Sequence, residues 1–238
     1  MRERRQRALA RGAALKAREV DPFSADGLEA RLAELGLPSF GGCVSDPEAL
    51  GAAGVLVPWR LLRPTDYQGP APATSPAAGS SSGGRRAAIL PVVYIGCTLR
   101  VSAHPVATGG FVAEAREVRL LALFDREASW WNPAAAGDSA VGHHGQLHFD
   151  LAHVLAREAR RAHREPLRAR GPTAQAARDA LALRWSETLG TLQRELRRLQ
   201  RALDAESSFG WSPEADTRWE PRIRRGAAAV RALAPSDR

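Results

Sequence analysis

The stretch Gly142-His143-His144-Gly145-Gln146-Leu147-His148-Phe149-Asp150-Leu151-Ala152-His153 holds four of the chain's six histidines. His144 and His148 stand at i, i+4. On a helix advancing about 100° per residue they lie about 40° apart. Leu147, Leu151, Val154 and Leu155 fall on the same side, so the two imidazoles are expected near the middle of a buried face. His143 and His153 point away from it. His153 lies about 180° round the helix from His144.

Two histidines at this spacing are the ligand pair of the H-E-x-x-H zinc helix, in which the Glu is the general base. Here Gly145 occupies the Glu position. The stretch is therefore a metal-site scaffold without its base. A Gly inside a helix costs about 1 kcal/mol relative to Ala, so Gly145→Glu is expected to be neutral or stabilising. The competing reading of His144 and His148 is a hydrogen-bonded pair at the edge of a core.

Reading outward, residues 139–164 form the histidine helix. Upstream, residues 89–101 and 117–124 alternate apolar and polar and read as neighbouring antiparallel strands. Trp130 and Trp131 follow. They can line a cleft, although large aromatics after a strand are more often core. Residues 59–72 read as a short strand ending in a Pro/Gly turn. Residues 71–86, rich in Ala, Pro, Ser and Gly, read as a flexible loop. Downstream, Thr173 caps a long helix whose apolar stripe is Leu181, Trp185, Thr188, Leu192, Leu196, Leu199 and Leu203. Gly210 ends it. Ser212-Pro213 restarts a last helix, with Trp219, Ile223, Ala227 and Val230 on its inner face and a kink at Pro221. Nearer the amino terminus, Ser24 caps a short helix carrying Leu28, Leu32 and Leu35, stopped by Gly36 and Pro38. Residues 2–18 form a loosely held charged helix.

The fold class that follows is α+β: a small, mostly antiparallel sheet on the histidine helix, then the long helix and the kinked terminal one. Residues 1–55 read as a helical extension and 56–233 as the main domain.

The chain has 238 residues and a formal net charge of +8, almost all of it from Arg, since Lys16 is the only lysine. Arginines cluster at 157–168 and 194–201. Without a nucleic-acid motif beside them they read as solvated helix faces, and nucleic acid is not the favoured partner. Two cysteines, Cys43 and Cys97, make neither a disulfide framework nor a Cys-type zinc site, and leave a single bridge open. No run reaches the ~18 apolar residues of a membrane span. No signal-peptide core follows the basic start, so a cytoplasmic location is expected.

Four separated motifs carry a family resemblance. His144-x-x-x-His148-Phe149-Asp150-Leu-Ala is similar to the H-E-Q-x-H-F-D-I-A-E segment of a bacterial zinc-protease-like family of unknown function. Phe124-Asp125-x-x-x-Ser129-Trp130 resembles its F-D-x-x-x-S-W. Trp59 and Asp66-Tyr67, with Gly69 and Pro72, resemble its W…D-F-x-G-x-P opening. Asp204-x-Glu206-Ser207-x-Phe209-Gly210, followed by Arg218-Trp219-Glu220-x-Arg222-Ile223, resembles its D-x-E-T-x-H-G ending. The order matches over residues 57–225. The resemblance implies a minimal zincin fold, zinc and peptidase chemistry; members look exported. The departures are Gly145 for the base, His153 for a later Glu, and Phe209 for a His that is a plausible third ligand. Glu206 could reach the metal or serve the end of the long helix. Phe209 reads as core filling where a ligand would be.

The resulting expectation is a degenerate, non-catalytic or weakly catalytic domain that binds a peptide or protein. Its cleft is formed by Trp130, Trp131, Glu206 and Phe209, and it carries no zinc or weakly bound zinc, well under one per chain. The alternatives are an active zinc hydrolase with a rearranged site and a basic nucleic-acid-binding protein.

Overall fold

A computed structural model of the chain describes residues 25–37, 39–52, 54–70, 89–135, 138–162, 166–226 and 228. The charged helix at residues 2–18, the Ser24 cap, the loop at 71–86, the end of the histidine helix beyond Ala162, and Ala227 and Val230 lie outside the described residues. The class is α+β, with eight strands and five helices described. The chain divides into two compact units. One comprises residues 1–53, 96–119 and 165–193; the other comprises 54–95, 120–164 and 194–238.

In the first unit, helix α1 (Ala25–Glu34) buries Leu28 and Leu32. It ends as its sequence dictates. Gly36 takes φ +70°, and the amides of Gly36 and Leu37 return to the carbonyls of Ala33 and Leu32, the paired bonds of a glycine-terminated helix. Strands β1 (Ser39–Phe40) and β2 (Cys43–Val44) form a tight antiparallel pair. Helix α2 (Pro47–Ala52) follows.

The two long strands β5 (Val93–Pro105) and β6 (Phe111–Asp125) pass through both units and are sheet neighbours. In the first unit β2 runs parallel to β5 with Cys43 opposite Cys97, and the two cysteines form a disulfide. Strand β8 (Arg168–Gly171) pairs antiparallel with β6, from Phe111↔Gly171 to Glu114↔Arg168. Gly41 is required here. Its φ is +56°, and a Cβ would lie 2.5 Å from the Ala182 carbonyl oxygen.

In the second unit β3 (Leu56–Pro58) pairs antiparallel with the end of β6. The short strands β4 (Ile89–Leu90) and β7 (Trp130–Trp131) pair with each other. Helix α3 (Ser139–Ala162) is the histidine helix. Leu147, Leu151 and Leu155 are buried on it, as the periodicity predicts. It packs against β4 and against α5 (Pro213–Arg225). Phe149 meets Phe124 of β6 with ring centroids 5.8 Å apart. The long helix α4 (Ala174–Ser207) begins in the first unit, where Thr173 Oγ1 accepts the Ala176 amide as its cap, and ends in the second.

Three local readings are corrected. The described part of the expected strand at 59–72, residues 59–70, is not a strand: β3 stops at Pro58, and a 3-10 turn covers Pro64–Asp66. Asp66 is buried there, accepting from the Arg60 guanidinium at 2.6 and 2.8 Å and from the Arg63 amide at 2.7 Å. Between the two long helices, where the sequence reading placed no element, Arg168–Gly171 forms strand β8. Phe209 does not fill the core: it is 39% exposed and sits in a left-handed turn at φ 58°.

Candidate metal centre

Every residue of the centre lies in the second unit. His144 and His148 share the buried face of α3; His144 is fully covered and His148 is 3% exposed. The C-terminal end of α4 brings Asp204. There Ser208, Phe209 and Gly210 take positive φ in succession, reversing the chain. The Phe209 amide bonds the Asp204 carbonyl and the Ser212 amide the Ser207 carbonyl, so α5 starts at once. Pro213 suits the first helical position because its missing N–H has no helical partner to lose. This reversal sets Asp204 at the end of one helix and Asp216 in the first turn of the next. A carboxylate is favoured at a helix N-terminus.

His144 Nε2, His148 Nε2 and Asp204 Oδ1 form a triangle with sides of 3.0, 3.1 and 3.2 Å. Two imidazoles and a carboxylate are an ordinary zinc donor set. Tetrahedral ligands about 2.0–2.1 Å from zinc stand about 3.3 Å from one another. The residues therefore fit a divalent metal. On the far side of the ring, His144 Nδ1 lies 2.9 Å from Asp216 Oδ1. A carboxylate there orients a ligating imidazole and raises its basicity. Asp216 is 1% exposed, and its Oδ2 has no partner among the described residues.

The electrostatics follow from this crowding. Burial opposes protonation of His144, but Asp204 and Asp216 outweigh it and raise its pKa to about 9. Burial likewise favours the neutral form of Asp204, but His148 and His144 hold its carboxyl well below the usual range. Without metal, then, protons bridge the cluster. Asp204 is also its exposed side, with 25% of that side chain accessible.

The remaining predicted residues fall as follows. Glu206 is turned away from the triangle's role: it accepts from Trp219 Nε1 at 3.0 Å. Asp150 accepts from Trp59 Nε1 and Gln146 Nε2, both at 2.8 Å, and His153 stacks on Trp59 with ring centroids 4.3 Å apart. His143 lies 3.7 Å from Glu220. Trp130 is buried on β7. Trp131 donates to the Ala135 carbonyl and meets Tyr67 edge-on at 5.2 Å. Gly145 faces Tyr67: a Cβ there would lie 2.1 Å from Tyr67 Oη and 2.8 Å from Ile89 Cδ1.

Two residues of the centre escaped the sequence reading. Asp204 opens the fourth motif, but the resemblance places the third-ligand position at Phe209 and gives Asp204 no role. Asp216 carried no signal beyond its place in the first turn after Ser212-Pro213.

Asp125, Ser129 and Gly69, from two of the matching motifs, hold turns. Asp125 Oδ1 accepts the amides of Glu127 and Ala128, Ser129 Oγ accepts the Val92 amide, and the Gly69 amide bonds the Ser129 carbonyl at 2.7 Å.

No protein-family model, no curated protein and no solved structure matches the chain. The family resemblance rests on the motifs and their order alone. No helix among the described residues is long and apolar enough to cross a membrane.

Proposed function

We propose that this chain is a degenerate, zinc-protease-like protein that keeps a metal centre and lacks the base. The observation that carries the reading is the triangle of His144, His148 and Asp204, with Asp216 behind His144. Three protein ligands and a buried carboxylate behind one of them are what a zinc site needs, with a position left for an outside ligand. Zinc in such a site supplies Lewis acidity. Gly145 has no group to accept a proton from an attacking water, and general acid–base help is worth about 10²–10⁴ in rate. The reading is therefore a non-catalytic or weakly catalytic domain that binds a peptide or protein. An active hydrolase is less well supported, because Tyr67 fills the space where a side chain of residue 145 would run. Arg168 and Arg198 pair with Glu114 and Glu195, which supports solvated faces over a nucleic-acid surface.

Asp204 changes the expected metal content. Purified protein, dialysed against metal-free buffer, is expected to hold close to one zinc per chain by elemental analysis, with no chelator-sensitive cleavage of casein. Zinc well below stoichiometry that does not respond to Asp204→Ala would sink the metal centre. Chelator-sensitive cleavage would restore the hydrolase reading.

Location belongs to the same proposal. Disulfides persist in oxidising compartments and are rare in the cytosol, so the Cys43–Cys97 bridge favours an exported protein over the cytoplasmic one expected from the sequence. Thiol alkylation of protein taken from cells separates the two.

A further inference from the structure

Gly145 follows His144 and precedes His148 by three residues. On a helix, positions three apart are neighbours with Cβ atoms about 5–6 Å apart, whereas adjacent positions diverge. The Tyr67 oxygen stands 2.1 Å from the place a Cβ on residue 145 would take. It therefore lies on the side of the helix next to His148, where the side chain of the missing base would begin. The ring is held edge-on by Phe124 at 5.1 Å and Trp131 at 5.2 Å. The residue as a whole is half-buried, but the oxygen is fully covered and has no hydrogen-bond partner among the described residues. A buried Tyr hydroxyl normally finds one. The metal centre beside it has three protein ligands and reaches solvent on the Asp204 side.

We propose that the Tyr67 hydroxyl is a ligand-binding donor, and that the metal centre with Tyr67 beside it binds a carboxylate, such as the end of a peptide. This rests on the metal reading and goes beyond it by naming the ligand. One carboxylate oxygen takes the metal's open position, and the other accepts from Tyr67 Oη. Burial, and then the charge of Asp66, keep the phenol protonated above its ordinary range, so it donates and does not act as a base. The substitution reverses the chemistry of the position. A Glu at 145 would repel a carboxylate and take a proton from water; the phenol attracts the carboxylate and takes nothing. It also explains why no side chain occupies residue 145.

The test uses the full chain loaded with cobalt(II), whose visible bands report on an outside ligand. Acetate is the probe and phosphate runs in parallel. Acetate is expected to change the spectrum saturably. Tyr67→Phe is expected to weaken acetate binding about tenfold or more, the value of a hydrogen bond to a charged group, with cobalt affinity unchanged in chelator competition. Ile89→Val, which thins the packing at the same spot without touching a polar atom, is expected to bind acetate normally. A packing role alone would leave acetate affinity equal in Tyr67→Phe and the unmodified protein, and that result overturns the proposal. So does a response to phosphate with none to acetate. If cobalt does not bind at all, the metal reading has failed first, and the failure is seen before any acetate is added.

Discussion

At the scale of single residues, the centre turns on two carboxylates with different duties. Asp204 Oδ1 touches both imidazoles, whereas Asp216 touches only the far nitrogen of His144. Asp216→Asn is expected to keep the ligand set and weaken zinc by about 10–100-fold, the usual cost of losing a partner behind a metal-bound His. Asp204→Asn removes a ligand and is expected to cost more. Competition against a chromophoric chelator measures both, and equal affinity in Asp216→Asn and the unmodified protein would remove its orienting role. Gly145 is the residue whose reading changes most. The helix-interior argument makes Gly145→Glu neutral or stabilising. Tyr67 Oη at 2.1 Å and Ile89 Cδ1 at 2.8 Å from the new Cβ reverse the sign. Overpacking of this kind costs about 1–3 kcal/mol, so the variant is expected to melt earlier. Trimming Tyr67 to Ala in the same chain should relieve the clash, at the separate cost of the lost ring packing.

At the scale of elements, the helices are more legible than the strands. The two ends of the expected stripe of α4, Leu181 with Trp185 and Leu196 with Leu199 and Leu203, are buried, but between them Leu189 and Gln193 are buried in place of Thr188 and Leu192, which are half-buried. Strands β5 and β6 are longer than their alternating cores. Val93 to Leu99 are buried on both faces, and a strand covered on both sides loses its alternation. Arg168–Gly171 has no strand signature of its own; its hydrogen-bonding partner β6 makes it one. The bridge from β2 to β5 is an element-scale staple in the first unit. Opening it by a Cys43→Ala and Cys97→Ala double change is expected to cost about 2–4 kcal/mol, chiefly by freeing the unfolded chain. Denaturant unfolding with and without reductant checks this: reductant should affect only the unmodified protein. The cap on α4 is a smaller case. Thr173→Ala is expected to cost about 1 kcal/mol in the same assay.

At the scale of the whole molecule, protons and metal compete for one cluster, and stability should show it. His144 has its pKa raised to about 9. Its contribution to the metal-free protein is complete below its ordinary pKa near 6.5 and is lost as pH rises from there through about 9. Asp204 is lowered, so its contribution is present above its ordinary range near pH 4 and is lost as pH falls below it. Metal-free protein is expected to melt highest at roughly pH 4–6.5, as far as this cluster decides. Zinc requires the ligands deprotonated, and a ligand bound only to the native state raises the melting temperature according to its affinity. The zinc-induced rise is therefore expected to grow between pH 6 and 9, while the metal-free melting temperature falls. Thermal scans across that range, with zinc and with chelator, test both slopes. A zinc-induced rise that does not change with pH would exclude His144 as a ligand.

The sequence by itself determined what depends on neighbours along the chain. The i, i+4 histidines on one face of α3, the stripe of α4, the stop at Gly36, the restart at Ser212-Pro213 and the absence of an apolar span are all local patterns of spacing and side-chain type. Tertiary structure decided whatever required two distant segments to meet. Asp204 and Asp216 lie 60 and 72 residues from His144; nothing in either segment's own periodicity points to α3. The turn at 208–210 and the docking of α5 on α3 choose them over Phe209 and Glu206. Gly145 is the sharpest case. Its local context says only that a helix has lost a side chain; Tyr67, brought in from the segment after β3, and Ile89 of β4 show that the space is taken.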